Sequence, residues 1–343
     1  MTTERFECLV QWVRQSLTAR GESIASSAAL EPIAADASFR HFFRIRTSSR
    51  TFIAVDSPPE RENNEQYVRL SQFYLAAELR VPEVLDADLE AGFLLVNDLG
   101  TRLMHDVINE HNADALYERA LNDVIRIQRM PATSDVVPPY ERERLQMELS
   151  LFTEWLLEAF LELELDEDEQ ALVAQTAATL VDAVDAQPKV CVHRDFHSRN
   201  LVMGDAGEIG IVDFQDSLIG AYTYDPVSLL RDCYLTWPEP RIQRWAQEYH
   251  RRALDVGHSF VPDLDRFLYD FDLTGVQRHL KAVGIFARLH LRDGRDALLQ
   301  YIAPVLRHLI RVSAARTELA PLGALIESRV LECAERRIER VNR

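Results

Sequence analysis

The chain of 343 residues is 47% hydrophobic and 27% charged, which excludes a disordered or fibrous polypeptide and allows a large buried core. A formal net charge of -17 argues against nucleic acid as a partner, because such binding rests largely on neutralising phosphates. Cys8, Cys191, Cys233 and Cys333 are scattered and form no C-x-x-C pair, which argues against a zinc cluster or a disulfide framework and fits a reducing compartment.

The opening segment, MTTERFECLVQWVRQ, is charged and amphipathic and lacks the apolar stretch of a signal peptide. No run of about 18 apolar residues follows it, so no membrane partner is expected and the protein is read as cytoplasmic. Residues 4–20 carry Phe6, Leu9, Val13 and Leu17 at helical spacing. Short segments rich in β-formers follow at 29–34, 40–47, 51–56, 83–87 and 92–97, separated by turn residues such as Ser48-Ser49 and Pro58-Pro59. A helix over 63–80 interrupts them, with Tyr67, Leu70, Phe73, Tyr74 and Ala77 on one face.

Beyond Asp98-Leu99-Gly100 the pattern turns helical, at 112–130, 141–164, 168–185 and in several segments between 240 and 342. The sequence thus predicts an α+β bilobal chain, with a small β-rich N-lobe over 1–97 and a larger helical C-lobe over 98–343. Residues 190–213 are the exception within the helical half. VCVHRD is short and β-like, and LVMGDAGEIGIVDF reads as a hairpin around a Gly-Asp-Ala-Gly turn.

Polar residues gather at the ends of these strands. His193-Arg194-Asp195-Phe196-His197-Ser198-Arg199-Asn200 is followed, thirteen residues after Asn200, by Asp213-Phe214-Gln215-Asp216. Phosphoryl transfer needs a positioned acceptor and compensation of developing charge. Asp195 has the chemistry to orient an acceptor hydroxyl and take its proton. An amide oxygen from Asn200 and a carboxylate from Asp213 suit magnesium, a hard ion that takes oxygen ligands and keeps phosphates and water in its shell. The hairpin brings these two residues together, since one begins its first strand and the other ends its second.

The constellation resembles the catalytic and metal-binding loops of the aminoglycoside phosphotransferase and choline kinase group, relatives of the protein kinases. The likeness spans most of the chain and implies a protein-kinase-like fold, ATP as phosphoryl donor and Mg2+ as cofactor, with Asp195 as base and Asn200 and Asp213 on the metal. A narrower likeness lies in ADASFRHFFRI (35–45), AVDSPP (54–59), GFLLVNDLG (92–100) and DFQDSLIGAYTYDPVSLLRDCYLTWP (213–238). These segments look like the anomeric cell-wall sugar kinases. That family phosphorylates the C1 hydroxyl of N-acetylmuramic acid or N-acetylglucosamine in peptidoglycan recycling, so an amino sugar and ATP are the implied small-molecule partners.

Within this frame Ala35 to Arg40 is the candidate phosphate loop, with Ser38 offering its hydroxyl and backbone. The loop lacks the usual glycines. Segment 51–56 also lacks the strand lysine of kinases, because Lys189 and Lys281 are the only lysines in the chain. Arg40 and Arg44 are the candidates for that phosphate contact, with plain exposed strand arginines as the alternative. Glu65 on the N-lobe helix is a candidate partner for such an arginine, with a plain surface glutamate as the alternative. Asn97, Asp98 and Leu99 form the linker expected to bind adenine through backbone groups, or simply a domain connector.

The resemblance gives Asp225 a structural role, accepting backbone hydrogen bonds from the loop around Asp195. His193 is expected to brace that loop and His197 to face the acceptor. Asp216, Arg231 and Asp232 are candidates for sugar hydroxyls, with surface or helix-pairing roles as the alternative. Tyr234 and Trp237 suit a sugar face or the core. Two other functions stay open: phosphorylation of a cationic acceptor such as an aminoglycoside or choline, and a nucleotide-binding scaffold without catalysis.

Overall fold

A computed structural model describes residues 2–25, 29–33, 39–132 and 135–342. In chain order the elements begin α1 Thr3–Ala19, β1 Glu31–Ile33, β2 His41–Arg46, β3 Thr51–Asp56, α2 Asn64–Ala76, β4 Val84–Asp88, β5 Phe93–Asn97, β6 Arg102–Leu103 and α3 Met104–Val107. They continue with α4 Ala113–Arg129, α5 Arg142–Leu151, α6 Glu167–Asp185, β7 Lys189–Val192, β8 Leu201–Met203, β9 Ile209–Ile211, β10 Leu218–Ala221 and α7 Tyr224–Leu230. The last are α8 Glu239–Asp255, α9 Leu264–Asp293, α10 Ile302–Ala314, α11 Ala320–Leu325 and α12 Leu331–Val341. The chain divides into two compact units, residues 1–107 with 199–216, and residues 108–198 with 217–343.

The first unit is built on an antiparallel sheet in the order β1-β2-β3-β5-β4. Alternation along β2 buries Phe43 and Ile45, which join Phe52, Ala54, Phe93 and Leu95 in one apolar cluster. Leu9, Val13 and Leu17 of α1, spaced at helical intervals, close that cluster. Asn63 caps α2 by accepting the Gln66 N–H, and Tyr67, Leu70 and Tyr74 form its buried face. A second sheet, β6-β8-β9, belongs to the same unit. Its hairpin pairs Leu201 with Ile211 and Met203 with Ile209, and the Ile211 N–H donates to the Arg80 carbonyl at 2.7 Å.

The second unit is helical around the 30-residue α9. Residues 152–160 prolong α5 as π-helix, and α9 lies against both. Gly284 permits that approach: a methyl group there would stand 2.4 Å from the Leu151 carbonyl. Strands β7 and β10 pair antiparallel, with Val192 opposite Leu218, and set out the loop that follows β7.

Inside this unit His279 is 2% exposed, and its Nε2–H donates to the Arg231 carbonyl at 2.8 Å, which fixes a neutral tautomer. Burial, reinforced by the charges of Arg278, Arg231 and Arg311, pulls its pKa down to about 3. The unfolded chain takes up this proton near 6.5 and the folded chain only near 3, so stability is lost as pH falls through that window. The contribution is about 1.4 kcal/mol for each pH unit. Urea unfolding at successive pH values should show a shallower acid loss for His279→Gln, which keeps a donor and cannot titrate. Parallel curves for the two proteins would refute the assignment.

Candidate active site

The hairpin β8–β9 presents Asn200 and Asp213 side by side. The Asn200 amide nitrogen lies 3.1 Å from Asp213 Oδ2, and the Val212 N–H donates to the Asn200 carbonyl at 3.0 Å. Gln215 Nε2 donates to the other Asp213 oxygen at 2.6 Å. Asp213 has φ 66°, a left-handed backbone that aspartate tolerates better than most residues. Next to it Phe214 is fully buried against Tyr67 and Tyr74 of α2, with ring centroids 5.0 and 5.5 Å away.

This pair fits magnesium. Cis ligands of an octahedral ion at about 2.1 Å stand about 3 Å apart, and an amide turned end for end offers its oxygen in place of its nitrogen. Among the described residues no three His, Cys, Asp or Glu side chains gather as a metal cluster. Asn200 and Asp213 would offer one amide oxygen and one carboxylate, which suits an ion that also takes phosphate and water oxygens rather than an all-protein cage.

The cations of the first unit are arranged differently from the sequence expectation. Arg44 forms a two-point pair with Asp98, at 2.6 and 3.1 Å, and donates to the Gly100 carbonyl at 2.9 Å. Burial raises the Asp98 carboxyl, but Arg44 and the Gly100 N–H outweigh it and hold the group below its usual range. Arg44 and Asp98 thus lock the linker to the sheet, a pairing across 54 residues that no local pattern reveals. The same linker is tied by the Glu83 N–H to Asn97 Oδ1 at 2.7 Å and by Arg80 to the Leu99 carbonyl at 2.7 Å.

Arg40 is 5% exposed. It donates to Ser57 Oγ at 3.1 Å, pairs with Glu62 at 2.9 Å and lies over the Tyr67 ring. The carboxylate that meets this arginine is Glu62, just before the cap of α2, and not Glu65 on the helix. Tyr67 therefore carries Arg40 as well as Phe214, a link the sequence did not signal beyond its apolar stripe. Ser38 lies outside the described residues.

In the second unit, the loop after β7 is held from α7 and the segment beyond it. Asp225 is fully buried and accepts the N–H groups of His193 and Arg194 at 2.7 and 2.9 Å. Burial pushes its carboxyl up to about 7 against the pull of those two donors. Asp232, offered by the sequence to sugar hydroxyls, instead accepts the Ser198 N–H and hydroxyl at 3.0 and 2.5 Å and the Tyr234 N–H at 2.8 Å. Arg231, offered likewise, is 2% exposed and pairs with Asp272 at 2.5 Å and Glu239 at 3.1 Å. A charged partner 41 residues away in the chain is invisible to a local reading.

Asp195 is partly exposed in this loop. Burial pushes its carboxyl up, yet the charges of Lys281, Arg194, His197 and Arg278 outweigh it and hold the group well below the usual carboxylate range. It is an anion at any ordinary pH. His193 is fully buried with its ring against Phe196. The His197 N–H donates to the Asp195 carbonyl at 2.9 Å, and its ring meets Tyr234 edge-on at 5.2 Å. Tyr234 in turn contacts Phe286 and Tyr301. Trp237 is turned to Tyr117, to which its indole N–H donates at 2.8 Å. Asp216 is exposed where the chain leaves the hairpin.

Comparison with known proteins follows the same lines. Residues 29–267 match the phosphotransferase enzyme family. The chain is 38% identical over 328 residues to a Pseudomonas aeruginosa protein named N-acetylmuramate/N-acetylglucosamine kinase, covering 94% of this chain and 96% of that one. A Neisseria meningitidis protein of the same name is 39% identical over 298 residues, 85% of this chain and 88% of its own. Among solved structures, a Plasmodium vivax ethanolamine kinase superposes with TM-score 0.61 at 10% identity, covering 82% of each chain. The GDP complex of aminoglycoside 2'-phosphotransferase-IIIa superposes with TM-score 0.59 at 14% identity, covering 86% of this chain and 97% of that one. At such identities these structures speak for the fold alone, and the fold is protein-kinase-like. On its sequence, its fold and the residues gathered on its hairpin, the chain belongs to the phosphotransferase enzyme family.

Proposed function

We propose that the protein transfers the γ-phosphate of ATP to the C1 hydroxyl of N-acetylmuramic acid, N-acetylglucosamine or both, as a step in peptidoglycan sugar recycling. The observation that carries the choice of acceptor is identity of 37–39% to relatives that bear the name N-acetylmuramate/N-acetylglucosamine kinase, over nearly the whole chain in two of the three. The chemistry is supported by the anionic Asp195 and, on the hairpin, by Asn200 and Asp213, which stand beside each other. A cytoplasmic setting suits the ATP requirement and the four unpaired thiols, and no helix among the described residues is long and apolar enough to cross a membrane.

In this reading Asp195 accepts a hydrogen bond from the C1 hydroxyl and orients it for in-line attack. The new bond joins the C1 oxygen to the γ-phosphorus, the bond from that phosphorus to the bridging oxygen breaks, ADP leaves, and the hydroxyl proton passes to the Asp195 carboxylate. An anomeric hydroxyl is more acidic than other sugar hydroxyls, so a weak base suffices. Asn200 and Asp213 would hold Mg2+, whose chemistry is to neutralise charge on the phosphate oxygens. Arg40, aimed by Glu62, is the first unit's candidate for phosphate contact, whereas Arg44 is committed to the linker.

Phosphorus NMR of the protein with Mg-ATP and each sugar tests the reading directly. A sugar 1-phosphate resonance growing at the expense of ATP is the expected result. Bound ATP with no transfer to either sugar would overturn it, and transfer to aminoglycosides or choline under the same conditions would replace it.

A further inference from the structure

Behind the Asp195 loop the helical unit buries a carboxylate that the proposed reaction does not use. Glu148, on α5, is 3% exposed. Its Oε1 lies 2.9 Å from Arg194 Nη2, 3.2 Å from Lys281 Nζ and 3.6 Å from Arg144 Nε. The Tyr140 hydroxyl donates to its other oxygen, and Lys281 also donates to the Tyr224 hydroxyl at 3.3 Å. Burial raises the Glu148 carboxyl, but Lys281 and Arg194 outweigh it and keep the group ionised.

Two features make this more than a packing detail. A buried ion cluster is a poor route to stability, because desolvation offsets the attraction. Lys281 is nonetheless one of only two lysines in the chain, and it is 8% exposed. Arg194, moreover, has φ 75°, a left-handed conformation that is strained for a long side chain. It is held there at both ends. Its N–H donates to Asp225, its carbonyl accepts from Ser228 Oγ at 3.3 Å, and its guanidinium pairs with Glu148 over the Tyr140 ring. The next residue is Asp195.

We infer that Glu148 is a positioning residue for Asp195: it anchors Arg194 in its left-handed conformation and takes up the charges of Arg194 and Lys281, which would otherwise draw the Asp195 carboxylate inward. The inference rests on Asp195 being the phosphoryl-transfer base. Both cations already act on Asp195 electrostatically, and without Glu148 each would lose a buried counter-charge. A displacement of about 1 Å at the base is enough to cost about a hundredfold in rate.

Glu148→Gln and the double variant Glu148→Gln/Lys281→Met separate this role from a merely structural one. Glu148→Gln should lower kcat about 100-fold while KM for ATP and for the sugar stays within about twofold, the split expected when orientation alone is lost. The double variant, with one fewer buried cation, should recover to within about tenfold of the wild type. Folded Glu148→Gln with wild-type kcat, a loss expressed in KM, or a double variant no better than the single would each overturn the inference. Should the single variant fail to fold, the double replaces it: a loss of about tenfold in kcat at unchanged KM supports the role, and wild-type kcat refutes it. Wild-type transfer measured alongside distinguishes the two claims. Its absence removes the base assignment and this inference together, whereas transfer that is indifferent to Glu148 removes the inference alone.

Discussion

Asp195→Asn should lower kcat by about 10²–10⁴-fold while leaving ATP affinity within a few-fold, as read by steady-state kinetics and nucleotide titration. Asparagine matches aspartate in shape and still accepts a hydrogen bond, so the acceptor stays in place. What disappears is the group proposed to hold the proton at the end of the transfer. The low pKa of Asp195 shapes the same expectation. A carboxylate stabilised by Lys281, Arg194, His197 and Arg278 is a poor proton acceptor early in the reaction and serves best once the acceptor oxygen has begun to bond to phosphorus. Because the folded pKa is held well below the usual carboxylate range, Asp195 stays ionised at every ordinary pH and adds no acid limb to the rate profile. An Asp195→Asn protein that is folded and turns over at the wild-type rate would place the base elsewhere.

The sequence spoke most clearly where a regular pattern was long. The segment 112–130 is helical as expected, over Ala113–Arg129, with Leu116, Ala120, Val124 and Ile127 buried along one face, and the hairpin around Gly204 to Gly207 pairs in the register that sets Asn200 beside Asp213. Short or evenly buried elements left no such trace. Strand β6 has two residues and β10 four, and both exist because a partner strand is at hand. All seven residues of α7 are buried, so it shows no amphipathic contrast, although it carries Asp225. Charge was the least legible. Arg44 with Asp98, Arg231 with Asp272 and Arg194 with Glu148 are separated by 54, 41 and 46 residues, and each pairing depends on the tertiary fold. Two arginines offered to ligands thus hold the protein itself together. Glu148, one glutamate among 55 acidic residues, gave no sign of its position.

Asp213→Asn should lower kcat at saturating ATP by at least about a hundredfold and move half-saturation to higher magnesium, since it removes the one charge that the proposed metal pair supplies. The choice of asparagine matters. Position 213 has φ 66°, and asparagine is among the few residues that accept this region readily, whereas alanine would add backbone strain to the loss of the ligand. An amide also retains polar partners for Asn200 and Gln215, and Phe214 keeps its packing on Tyr67 and Tyr74, so the hairpin end should hold its shape. Thermal melting in the absence of nucleotide should therefore change little. Titration of the rate with magnesium then isolates the ligand role from folding. A rightward shift with a reduced plateau assigns the ion to Asp213. An unchanged magnesium curve in a folded variant would require another carboxylate to hold the metal, and would leave the 3.1 Å contact between Asn200 and Asp213 as a structural tie across the hairpin.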